Sequence, residues 1–85
     1  MLELRPNCEC CDKKLPPDAE DAMICSFECT FCNDCVEKRL GSRCPNCGGT
    51  FVPRPIRPAS MLMDNPPSTQ RVFNPRRCAP ELRPN

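Results

Sequence analysis

Eight cysteines fall between positions 8 and 47 as four close pairs, Cys8-x2-Cys11, Cys25-x3-Cys29, Cys32-x2-Cys35 and Cys44-x2-Cys47. A CxxC turn folds back as a tight knuckle and aims two sulfurs at one point, so two such turns supply the four ligands of a tetrahedral ion. Four pairs therefore suffice for two complete sites. Ten cysteines in 85 residues, with no histidine, leave Cys10 and Cys78 over.

The rest of the sequence explains why such sites are needed. A segment of roughly 50 residues is too small to bury a stabilising apolar core unaided. Aromatic residues are few, four Phe with no Tyr or Trp. Either disulfides or metal must make up the difference. The opening Met1-Leu2-Glu3-Leu4-Arg5-Pro6 has no charged n-region followed by an apolar h-region, and no stretch is long enough to span a bilayer. A cytoplasmic protein without membrane attachment is expected. A reducing cytosol keeps thiols unpaired, so regularly spaced cysteines there are read as ligands, and zinc is the expected metal.

Charge and proline content divide the chain at Val52. Residues 1–52 carry six Lys and Arg against nine acids, whereas residues 53–85 carry six arginines against Asp64 and Glu81. Eight thiolates around two divalent ions would make the first part more acidic still. Eight of the twelve prolines lie beyond Val52, which excludes long helix and central strand from that part. The expectation is a zinc-binding module over 1–52 and a Pro/Arg-rich, largely disordered tail over 53–85. Glu3-Leu4-Arg5-Pro6-Asn7 recurs as Glu81-Leu82-Arg83-Pro84-Asn85, which is too short and isolated for a solenoid repeat.

Local signals place short elements around the cysteines. Asn33 or Asp34 is expected to cap a helix of one or two turns, with Val36 and Leu40 on its inner face, Asp34 and Lys38 paired, and Gly41 ending it. Ala22 to Cys25 and Thr30 to Phe31 read as strands joined by a turn at Ser26 to Glu28, with Thr50 to Val52 as a third strand after Gly48-Gly49. Leu15, Ile24, Phe31, Val36, Leu40 and Phe51 form the expected core.

The order of the pairs, ending in Cys44-Pro45-Asn46-Cys47, with Ile24 before the third ligand and Phe31 before the fifth, resembles a RING-type finger in which Cys29 stands where histidine is common. The resemblance covers residues 8 to about 52. It implies a small metal-stabilised α+β fold, a treble-clef-like cross-brace with one short helix and a small antiparallel hairpin. In a cross-brace alternate pairs share an ion, so Cys8, Cys11, Cys32 and Cys35 would hold one zinc and Cys25, Cys29, Cys44 and Cys47 the other. Spacing alone leaves the pairing open, a simple zinc ribbon on Cys32, Cys35, Cys44 and Cys47 included. A narrower likeness rests on MLELRPNCECC, on Ile24 to Cys32 and on CPNCGG. These segments are similar to a small bacterial cysteine-rich family, domain of unknown function twelve-seventy-two. That likeness runs to about Pro58 and brings no known activity, and the longer tail reads as peculiar to this chain.

Of the surplus cysteines, Cys10 reads as a small buried packing group, and Cys78 as an incidental tail thiol between Arg77 and Ala79. An enzyme is not expected. Histidine is missing as a general base, and an ion held by four thiolates has no open position for water. Where RING ligases carry an exposed apolar residue before the second ligand and a basic residue after the last, this chain has Cys10 and Gly48, which argues against ubiquitin-ligase activity. A net acidic module with few aromatics argues against nucleic-acid binding. What remains is a monomeric structural zinc module that mediates interaction with an unknown protein partner, Phe27 at the hairpin tip being the candidate anchor. The alternative is a zinc- or redox-responsive thiol switch.

Overall fold

The computed structural model describes residues 2–75. Strand β1, Ala22–Ile24, and strand β2, Thr30–Cys32, form an antiparallel hairpin with Ala22 opposite Cys32 and Ile24 opposite Thr30. Its turn closes through Glu28 N to Cys25 O at 3.0 Å, with Glu28 at φ 65°. The six-residue helix α1, Asn33–Lys38, follows without a break. Strand β3, Val52–Pro53, adds to the free edge of β1, giving the order β2-β1-β3. A proline is tolerated there because β3 is an edge strand.

Alternating apolar residues explain the packing. Ala22, Ile24, Phe31 and Val36 are buried with Leu15 and Leu4, and Phe31 meets Phe51 edge to face at 5.4 Å between ring centres. Leu40 and Phe51 pack against this cluster while remaining partly exposed. Most of the other buried apolar positions are cysteines, so the sulfurs occupy the centre that larger side chains would fill in a bigger domain.

Several local expectations are corrected. Cys32, in extended backbone conformation, is the N-cap of α1 in place of Asn33 or Asp34, because the strand runs straight into the helix. The side-chain bond along the helix joins Asn33 Nδ2 to Glu37 Oε2 at 3.0 Å, in place of the expected Asp34–Lys38 pair. The helix ends at Lys38 with Arg39 as its C-cap, two residues before Gly41, which has φ 59° and lies in the turn beyond. The third strand begins two residues later than expected, at Val52.

The largest correction concerns residues 53–74, expected to be part of a largely disordered tail. They form an arm that returns along the N-terminal segment. Arg54 is only 4% exposed, and its guanidinium donates to three carbonyls, Arg5 O at 2.9 Å, Leu15 O at 3.2 Å and Pro16 O at 2.8 Å. Arg57 donates to Leu2 O and Asn65 O. Between them and the return path lies a short helix α2, Ala59–Leu62, bracketed by Pro58 and Pro66. Ser68 N then bonds Leu4 O, Arg71 pairs with Asp12, the Asn7 side chain bonds both N and O of Val72, and Asn74 N bonds Glu9 O. Proline excludes long regular elements from this arm, yet leaves carbonyls and side chains free to dock on a folded neighbour. Charge did not foretell the docking, because Arg54 and Arg57 satisfy backbone carbonyls instead of carboxylates.

Arg54→Ala removes three charge-assisted hydrogen bonds from a buried site and leaves their carbonyls without a donor. The expected cost is about 3 kcal/mol in urea unfolding, and Arg54→Lys, with a single ammonium, should recover only part of it. A change within about 0.5 kcal/mol, as for an exposed residue, would show that the arm does not hold the module.

Candidate metal centre

The same backbone turn builds the first and last knuckles. Asp12 N bonds Cys8 O at 2.9 Å, and Gly48 N bonds Cys44 O at 2.8 Å, so each CxxC is closed by the residue that follows it. Both closing residues have positive φ, 64° at Asp12 and 77° at Gly48. Glycine adopts this conformation freely, and aspartate is among the few side chains that tolerate it. The third pair is built differently. Cys32 ends β2 and Cys35 lies in the first turn of α1, so the strand-to-helix junction aims both sulfurs inward. The second pair brackets the hairpin turn, with Cys25 N bonded to Cys29 O at 3.2 Å.

Folding gathers the sulfurs into two groups. Cys8, Cys11, Cys32 and Cys35 form the first and Cys25, Cys44 and Cys47 the second, with all sulfurs of a group within 4.8 Å of one another. The groups alternate along the chain, and the four cysteines of a simple ribbon are divided between them. Each group has one exposed cysteine, Cys11 or Cys47, and the other members are buried. The fit to a metal ion can be tested on these distances. A tetrahedron with arms of about 2.3 Å has edges of roughly 3.8 Å, and Cys11 Sγ lies 3.7 Å from Cys32 Sγ. That separation is far longer than a disulfide of about 2.05 Å, and all seven of these cysteines, like Cys29, are free thiols. In the second group backbone N–H groups are already aimed at sulfur, from Phe27 to Cys25 at 3.3 Å, Asn46 to Cys44 at 3.4 Å and Gly49 to Cys47 at 3.4 Å. Both groups are placed to hold a metal ion.

Of the eight expected ligands, Cys29 is the one the structure does not bring into a group. Its sulfur instead lies 3.5 Å from Asn46 Nδ2, and it lines, with Phe27, Asn46 and Cys47, a cavity of about 390 Å³ beside the second group. Cys10 belongs to neither group and is buried. It is disulfide-bonded, which corrects the reading of a passive packing thiol. Cys78 lies outside the described residues.

The two groups have different electrostatic surroundings. Lys13, Lys38 and Arg39 stand with Asp34 around a cavity of about 260 Å³ that opens on Cys11, Cys32 and Cys35. Cations at that mouth offset the excess negative charge of four thiolates on a divalent ion. Among the residues lining the cavity of the second group there is no cation, and hydrogen-bond donors take that part. Sequence reasoning missed the polar residues that tie these sites to the arm. Asn7, Glu9 and Arg54 are buried, and only the position of Glu9 inside the first knuckle could have drawn attention to any of them.

Burial also sets the thiol chemistry. It pushes Cys8 up to about 11 and Cys44 up to about 12, and raises Cys35 together with the negative charge of its sulfur neighbours. Cys11 is pushed up by burial too, but the Lys13 N–H and the thiols of Cys8, Cys32 and Cys35 outweigh this and hold it below the ordinary thiol value. The raised thiols give the metal-free fold a stability that is fully present below the unfolded thiol value of 9.0 and lost as pH rises towards the folded values near 11 and 12. Metal binding reverses the sign, because the ligands must lose protons first. Thermal melts should therefore show the metal-free chain weakening above about pH 9, while the loaded chain weakens on acidification. Parallel pH profiles for the two forms would contradict this assignment.

No solved structure is matched by the chain. An uncharacterised protein of Rhizobium meliloti (strain 1021) is 68% identical over 81 residues, covering 95% of this chain and 96% of the relative. The arm is thus shared with that relative, which corrects the expectation that it is peculiar to this chain. The family model described as protein of unknown function DUF1272 matches residues 1–57, from the first residue through all eight paired cysteines to Arg57. The chain belongs to this family of cysteine-rich proteins of unknown function.

Proposed function

We propose that this chain is a structural zinc module with two four-cysteine sites in a RING-like cross-brace, and that it serves to present a surface to another protein. The alternation of the two sulfur groups along the chain is the observation that carries the reading. In this arrangement Cys29 completes the second site, its sulfur joining those of Cys25, Cys44 and Cys47 while the Asn46 amide remains its donor. Zinc is the metal favoured by an all-sulfur tetrahedral set. Four thiolates leave no open position on the ion, so the role is architectural and not catalytic. Phe27, 72% exposed beside the cavity of the second group, is the apolar anchor for the partner. No helix among the described residues is long and apolar enough to cross a membrane.

Nucleic-acid binding is disfavoured by the fate of the arm's cations. Among the described residues of the arm, Arg54 and Arg57 are committed to backbone carbonyls and Arg71 to Asp12, so none of these three is free for phosphates.

Native mass spectrometry of the full chain should show two zinc ions, and Cys29→Ser should weaken one of them. One ion in the wild type, with four of the eight paired cysteines alkylated readily, would sink the cross-brace. Phe27→Ala should keep both ions and reduce capture of the partner in a pull-down. Equal capture would move the interface elsewhere.

A thiol switch is a second reading, favoured by the disulfide at Cys10. Mild peroxide should then eject zinc from the module. Retention of both ions under that treatment leaves the structural reading alone.

A further inference from the structure

Glu9 lies inside the first knuckle, between Cys8 and Cys10, and is only 2% exposed. Burying a carboxylate is costly unless donors surround it. Here the donors come from three separate parts of the chain. Glu9 Oε2 accepts from Asn46 Nδ2 at 2.8 Å, within the last knuckle, and from Asn74 Nδ2 at 3.2 Å, on the arm, while Oε1 faces Arg5 at 3.9 Å. The second hydrogen of the Asn46 amide points to Cys29 Sγ at 3.5 Å. One amide thus spans a carboxylate and the sulfur that the second group lacks.

The carboxylate also decides which way that amide faces. With its two groups exchanged, Asn46 would set a carbonyl oxygen against Glu9 and lose the donor to sulfur. In the observed orientation Oδ1 is buried without a hydrogen-bond partner. An amide leaves its own oxygen unsatisfied only where the donor on the other side is worth more. N–H groups beside a metal-bound sulfur orient it and stabilise its charge.

We propose that Glu9 is a positioning residue for the second metal site, holding the Asn46 amide as the donor to Cys29 and so linking that site to the first knuckle and the arm. This rests on the reading that both sulfur groups hold metal. Glu9 follows Cys8 in the chain, and its carboxylate belongs to neither sulfur group. Its effect passes through Asn46, so the two residues form one unit, and changes at both should not add.

Cadmium alone, titrated into the full chain, is the probe, because its resonance reports each four-sulfur site separately, and Cys47→Ser assigns the second. In Glu9→Gln a neutral amide replaces the carboxylate and no longer fixes the direction of Asn46. We expect the second-site resonance to shift and its affinity, read by chelator competition, to fall about 10-fold, with the first site unchanged. Asn46→Ala should do the same, and the double variant no more than either single one. Wild-type resonances and affinities in both single variants would overturn the proposal. Equal weakening of both sites would also overturn it, since that is the mark of a general loss of folding. Fewer than two ions in the wild type would instead overturn the two-site reading on which it rests.

Discussion

The meeting of Cys8 and Cys11 with Cys32 and Cys35 is the contact on which the rest depends. It fixes the N-terminal segment against the junction of β2 and α1, across a sequence separation that no local signal could close. Loop closure of this length is entropically unfavourable, and one compact contact must offset it. The sulfurs do so at small volume, because one ion can satisfy four of them at once. Once the first knuckle is seated, Asn7, Glu9 and Asp12 are held at fixed positions around it. They then offer the hydrogen-bonding groups that receive the arm at Val72, Asn74 and Arg71.

The arm depends on the module in turn through backbone chemistry. Arg54 reaches Arg5, Leu15 and Pro16, on two stretches of chain that meet at the isolated antiparallel bridge of Asn7 and Lys14. A proline-rich segment such as Pro16-Pro17 lacks N–H donors and leaves carbonyls needing partners. A guanidinium with five donors in one plane is suited to that task. Its burial lowers the Arg54 value, partly opposed by the charge of Asp21, and its Nε is buried without a hydrogen-bond partner. Arg57 repeats the device at Leu2 and Asn65.

How far the sequence disclosed this structure depended on the kind of interaction. Cysteine spacing is local chemistry, and it marked all seven sulfurs that the two groups contain. The hairpin and its turn at Ser26 to Glu28 were readable as well, because apolar alternation and a turn signal coincide there. The fate of residues 53–74 was not readable. Proline and arginine suggest solvated chain when counted, yet what matters is which carbonyls lie in reach, and only the fold decides that. The cap at Cys32 was hidden similarly, since Asn33 is an excellent cap in isolation and the strand overrode it. Cys29 shows a further limit, for spacing places it in the set while its sulfur lies outside the second group and against the Asn46 amide.

The two sulfur groups handle the same charge problem in different ways, and this bears on what each can do. Four thiolates on a divalent ion leave two negative charges. The first group is faced by Lys13, Lys38 and Arg39, long side chains whose ammonium and guanidinium groups act through space and are weakened by salt. The second group relies on N–H donors from Phe27, Asn46 and Gly49, which act at contact distance and persist in salt. Directed donors demand a fixed backbone, whereas mobile cations do not. The first group has such donors as well, the Lys13 N–H to Cys11 among them, so what sets the second group apart is that no cation lines its cavity, and its donors connect through Asn46 and Glu9 to the arm. The module and the arm over 53–74 are thus tied together, with Arg54, Arg57 and Arg71 each bonded to groups of the chain itself.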